Sequence, residues 1–178
     1  ILDLQHASKT KPITLIILAG NHDSVATLSE SKNLLKHFNT HVITKAMSNV
    51  EDHVIPLFRR EGKGGGSLKK GEIIGFVCAI PFLRPKDMVS STAGETGKEK
   101  QKNLLDSIVD FNNRIFECAQ SQSDKALPIV MTGHLTAVGA STSDSVRDIY
   151  IGSLEAFPAA KFPEADYIAL GHIHQSQK

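Results

Sequence analysis

Three apolar runs in this chain end in the same way, and that shared ending constrains the fold more than any other feature. Residues 13–20 (ITLIILAG) lead into Asn21, His22 and Asp23; residues 129–133 (IVMTG) lead into His134; residues 167–171 (YIALG) lead into His172, Ile173 and His174. The runs are continuous rather than alternating, the pattern of strands covered on both faces in a parallel sheet flanked by helices. Each closes on a Gly, which lets the backbone turn sharply. Gly, Asn and Asp are ordinary turn formers, and a single His at a strand end is ordinarily structural. Three repetitions are not explained by packing. Ligands of open α/β sheets bind beyond the carboxyl ends of the strands. If the three strands are parallel neighbours, Asn21, His22, His134, His172 and His174 therefore meet at one edge.

The rest of the chain supports a layered α/β domain. Residues 27–38 (TLSESKNLLKHF) place Leu28, Leu35 and Phe38 at helical spacing, with Thr27 and Ser24 competing as the cap. Val42–Ile43 reads as a short strand. Residues 54–58 and 72–80 read as strands joined by a flexible basic loop at 59–71, and Pro81 and Pro85 take the chain out of the sheet. From about Lys98 to Gln122 a helical stripe runs through Leu104, Leu105, Ile108, Phe111, Ile115, Cys118 and Ala119. A loop rich in Ser, Thr and Asp (139–148) precedes a short element around GSLEAFP. With no internal repeat and no linker, residues 1–178 read as one domain, and a partial one, because the chain begins at Ile1 without a Met and stops just after GHIH.

Composition excludes several classes. With 40% hydrophobic and 22% charged residues, the sequence is that of a soluble globular protein, and a net charge of +1 gives no global pull toward nucleic acid or membrane. No apolar run is long enough to span a bilayer and no signal peptide is visible. Cys78 and Cys118 read as reduced thiols, and the expected location is cytoplasmic.

Imidazoles are the commonest metal ligands, and an Asn carbonyl adds a harder oxygen donor. In an extended segment His172 and His174 face the same way, with Ile173 directed away, so they can serve two adjacent ions. Such a pair activates water and neutralises phosphoryl oxygens. The mixed donor set suits manganese, iron or zinc.

The strand-end sequences GNHD, TGH and GHIH resemble those of the calcineurin-like metallophosphoesterases. The longer stretches LAGNHDSVATL, IPFLRP and TGHLTAVGASTSDSVRDIYIGSLEAFPAAKFPEADYIALGHIH resemble one branch of them: bacterial DNA nuclease subunits that partner an SMC-like ATPase. The resemblance implies a layered β-sandwich flanked by helices. It also implies a two-manganese centre that hydrolyses DNA phosphodiesters as exonuclease and endonuclease in DNA repair, and a homodimer in the intact protein. Carried over by motif, Asn21, His134 and His172 are ligands of the second metal, and His174 is a ligand of the first. His22 contacts the scissile phosphate and protonates the leaving oxygen. Asp23 either orients His22 or closes the turn.

The sequence also departs from that family. Its Asp-x-His strand end and Gly-Asp motif do not occur before Ile13. Asp3 and His6 have the wrong spacing, and Glu51–His53, Asp144 and Asp148 lack a strand-end context. Histidines neutralise none of the charge of two divalent cations, so this stretch alone is expected to bind metal weakly and to be inactive. The family's capping domain and ATPase-docking segment are expected beyond His174. Two other functions stay open: a phosphoesterase acting on small phosphate esters or nucleotides, and a non-catalytic binding module. Arg59, Arg60, Lys63, Lys69 and Lys70 are either a phosphate-backbone contact or a solvated hairpin tip. Arg84 is either a DNA contact or part of a structural ion pair, and Ser141–Ser143 read as a structured turn.

Overall fold

A computed structural model describes residues 13–59, 71–90, 94–124, 126–138 and 157–172. The fold is mixed α/β. Strand β1 (Leu15–Leu18) is followed by two short helices, α1 (Val25–Glu30) and α2 (Lys32–Lys36), and by β2 (Thr40–Ile43). A 3₁₀ turn (Val50–His53) feeds β3 (Val54–Phe58), which pairs with β4 (Ile73–Cys78). A one-turn helix α3 (Pro85–Met88) and the long helix α4 (Gly97–Ser121) come next. Strands β5 (Ile129–His134), β6 (Ala137–Val138), β7 (Phe157–Pro158) and β8 (Tyr167–Gly171) complete the described chain.

The helix starts follow local chemistry. Ser24, rather than Thr27, caps α1, its hydroxyl accepting the Thr27 amide at 3.3 Å. At α4, Thr96 and Glu99 form a reciprocal capping box. The stripe expected on that helix is the core: Leu104, Ile108, Phe111, Ile115 and Ala119 pack with Phe76, Cys78, Ile129, Met131 and Phe157, while Leu105 and Cys118 lie at its margin. Both cysteines are free. Burial pushes the Cys78 thiol up to about 12, with a smaller contribution from Cys118.

The sheet arrangement corrects one expectation. β5 and β8 are parallel neighbours in a sheet of order β3-β4-β5-β8, with His134 opposite Gly171. Among the described residues β1 is not in that sheet; it pairs in parallel with β2 alone. The two sheets join through a second cluster in which Ile43 packs with Ile55 and Ala79 against Ile16 and Leu18, and through the Phe82 amide, which donates to the Ala19 carbonyl at 2.8 Å. Three strand ends thus approach one another from two sheets rather than along one edge. The runs are also less covered than their composition suggests. β1 is half-buried throughout, and β8, at the end of its sheet among the described residues, leaves Tyr167 64% and Leu170 42% exposed.

Candidate metal centre

The turn after β1 is built by its own side chain. The Asp23 carboxylate reaches back three residues to accept the Gly20 amide at 2.7 Å, which leaves Asn21 and His22 displayed between them. Of the two roles open to Asp23, this is the turn-closing one. A Cβ at position 20 would stand 2.8 Å from Cε1 and 3.0 Å from Nε2 of His134, so the absence of a side chain is what lets the turn approach that ring.

Asn21 Oδ1 lies 3.1 Å from His134 Nε2, and His172 Nδ1 lies 3.3 Å from the same nitrogen. The two imidazoles meet edge to face with centroids 5.1 Å apart. His172 has a φ of 124°, a backbone conformation that costs a β-carbon-bearing residue energy and is met chiefly where the surroundings impose it. One ring atom, His134 Nε2, thus faces two partners while offering at most one proton. The contacts must share that proton or leave lone pairs facing one another. A cation between them relieves this conflict, so the three donors fit one side of a metal centre. They supply no negative charge. Among the described residues, no three His, Cys, Asp or Glu side chains come together as a metal-holding group.

His22 is exposed on the same turn. His174, Arg60, Lys63, Lys69, Lys70, Asp3, His6, Asp144, Asp148 and Ser141–Ser143 lie outside the described residues. His53 is fully buried and structural: Nδ1 bonds the Ala79 carbonyl at 2.8 Å and Nε2 accepts the Met47 amide at 3.0 Å. Burial lowers its pKa; Lys32 adds to this, against the opposing effects of the Ala79 bond and Asp52.

No family model matches the chain. Among curated proteins, the SbcD subunit of nuclease SbcCD from Escherichia coli strain K12 is 51% identical over 164 residues, covering 92% of this chain and 38% of that protein. The SbcD subunit from Staphylococcus epidermidis is 24% identical over 163 residues, covering 91% of this chain and 37% of that protein. The chain is homologous to SbcD over that stretch. It spans about two-fifths of the length of these relatives.

Two residues beside the trio, neither of them part of a motif, support the candidate centre. Phe82 presents its ring to His134 edge to face, centroids 6.0 Å apart. Thr132, two residues before His134, accepts the Ile80 amide at 2.8 Å and donates to the Cys78 carbonyl at 3.0 Å. The β4–β5 ladder ends at the Cys78–Met131 pair, so the hydroxyl continues the cross-strand bonding where the backbones part. The only signal for either was position: a Thr inside a strand that ends in His, and an aromatic residue between two prolines.

Proposed function

We propose that the chain forms part of a metal-dependent DNA nuclease centre. The observation that carries this reading is the meeting of Asn21 Oδ1, His134 Nε2 and His172 Nδ1 where three Gly-ended strands finish. Identity of 51% to a nuclease subunit supports DNA as substrate over small phosphate esters. In this reading Asn21, His134 and His172 hold one divalent ion and His174 a second, with manganese the first metal to test. A pair of such ions, when bound, activates water and neutralises phosphoryl oxygens.

The chain's own residues do the rest. His22, exposed beside Asn21, reaches the scissile phosphate and gives a proton to the leaving oxygen. The Asp23 carboxylate holds the turn that presents both. In this reading the anionic ligands belong to Asp-x-His and Gly-Asp motifs that do not occur before Ile13, so the 178-residue chain by itself binds manganese weakly and does not cleave DNA. The working assembly is a partial metallophosphoesterase domain within a longer, homodimeric subunit of layered sandwich architecture. It pairs with the SMC-like ATPase SbcC on DNA in the cytoplasm. Among the described residues no helix is long and apolar enough to cross a membrane.

The test is a calorimetric manganese titration with a nuclease assay on duplex DNA, run on a full-length subunit carrying this sequence and on the chain alone. Two sites and cleavage in the former, with neither in the latter, are expected. Tight sites in the chain alone would mean that acids such as Asp144 complete the centre. A full-length subunit that binds manganese but leaves DNA intact would overturn the nuclease reading.

A further inference from the structure

Arg84 sits where the two sheets and the candidate centre meet. Its backbone is fixed from both sides. Pro85, at the first position of α3, holds it extended (φ −74°, ψ 135°), and Leu83 before it is buried in the core. From this anchored root the guanidinium donates to the Asp23 carbonyl at 3.1 Å and to the Thr44 carbonyl at 3.4 Å. Those acceptors follow β1 and β2, the two strands of one sheet. The guanidinium carbon also lies 5.8 Å from the centroid of the Phe82 ring, within range of a cation–π attraction. The same ring meets His134 edge to face.

We propose that Arg84 is a positioning residue for the centre, holding the Asn21–His22 turn and the Phe82 ring against His134, rather than a residue that acts on substrate. As part of a nuclease centre this rests on the reading above. The Asp23 carboxylate closes the turn from inside through the Gly20 amide, and Arg84 holds the same residue from outside through its carbonyl. Two carbonyls on separate strand ends and an aromatic face need a planar group with several fixed N–H directions. Arginine supplies this, and the compact ammonium of lysine does not.

The experiment compares Arg84→Lys and Arg84→Gln in a full-length subunit carrying this sequence. The first readout needs neither metal nor substrate: amide hydrogen exchange at Gly20 and Phe82, with Ile108 and Ile115 in α4 as internal references. Local release of the turn speeds exchange at Gly20 and Phe82 by about tenfold or more in both variants and leaves the α4 amides unchanged. The second readout is turnover on duplex DNA with manganese. A misplaced turn lowers kcat by about tenfold to a hundredfold, with KM little changed.

The third readout is the salt dependence of DNA binding. A lost phosphate contact reduces the slope of log K against log salt by about one in Arg84→Gln, and Arg84→Lys restores it. The expected result is an unchanged slope in both. A reduced slope with lysine rescue, or wild-type exchange at Gly20 in both variants, would overturn the proposal. If Arg84→Gln does not fold, Arg84→Lys keeps the stem and the charge and still gives the exchange and turnover readouts, and wild-type exchange at Gly20 in it overturns the proposal. If the parent subunit itself leaves DNA uncut, the nuclease reading fails, and the exchange comparison still decides the role of Arg84.

Discussion

Gly20 and His134 lie so close that a Cβ on the glycine would stand 2.8 Å from the imidazole Cε1. The ring has little room to retreat, with Phe82 and His172 each meeting it edge to face. Gly20→Ala should therefore cost about 1–3 kcal/mol of stability and weaken manganese binding about tenfold or more, as displaced supporting groups do at metal sites. Gly171→Ala is the matched control, because its Cβ would meet His134 Nδ1 only at 3.6 Å, an ordinary contact. Calorimetric titration and thermal melts on full-length subunits check both. Equal effects at the two glycines would mean that crowding at position 20 does not set the imidazole.

His22 and His134 should fail differently. His22 is exposed on the turn, whereas His134 Nε2 is engaged with Asn21 and His172. His22→Ala should lower turnover on duplex DNA about a hundredfold or more, the usual loss for a general acid, and leave manganese affinity nearly intact. His134→Ala should lose manganese affinity first. Loss of manganese in His22→Ala would make that histidine a ligand and require the assignment to be redrawn.

The parts of this site that were legible in the sequence are those written in side-chain periodicity and strand endings. The α4 stripe from Leu104 to Ala119 and the pairing of the β5 and β8 ends follow from patterns within single segments. The separation of β1 from the β5–β8 sheet was not legible, because it depends on which distant backbone groups pair, such as the Ala19 amide with the Ile43 carbonyl. The bonds of Arg84, which the sequence offered as a DNA contact or part of an ion pair, were hidden for a related reason. Its acceptors are main-chain carbonyls of Asp23 and Thr44, which have no sequence signature. His53 shares with Glu51 and Asp52 the lack of a strand-end context, and its burial between Met47 and Ala79 had no sequence signal.

That burial makes stability depend on pH. His53 stays neutral in the fold because desolvation lowers its pKa from the ordinary 6.5, and His41 is lowered too, by burial and by Lys36. The unfolded chain takes up protons near 6.5 while the native chain does not, so its stability is full above that pH. It falls as the pH drops below 6.5, until the native pKa is reached. The slope from His53 is at most about 1.4 kcal/mol per pH unit. Thermal melts between pH 7.5 and 5 should show Tm falling, and His53→Gln, which keeps a donor for the Ala79 carbonyl, should flatten the curve. An unchanged curve in that variant would place the titration elsewhere.

Thr132 joins the core sheet to the candidate centre by one hydroxyl. Its Oγ1 accepts the Ile80 amide and donates to the Cys78 carbonyl, at 2.8 and 3.0 Å, just where β4 leaves β5. The segment it holds runs on to Phe82, whose amide reaches Ala19 and whose ring reaches His134. Thr132→Val keeps the shape and removes both bonds, leaving the amide of buried Ile80 and the carbonyl of buried Cys78 without them. The cost should be about 1–3 kcal/mol, and Thr132→Ser should recover most of it. Because the loosened segment carries Phe82, the valine variant should also bind manganese more weakly than its stability loss alone explains. Melts and calorimetric titrations of both variants in a full-length subunit separate the two effects: a Thr132→Val protein with reduced Tm and unaltered manganese affinity would confine Thr132 to the core.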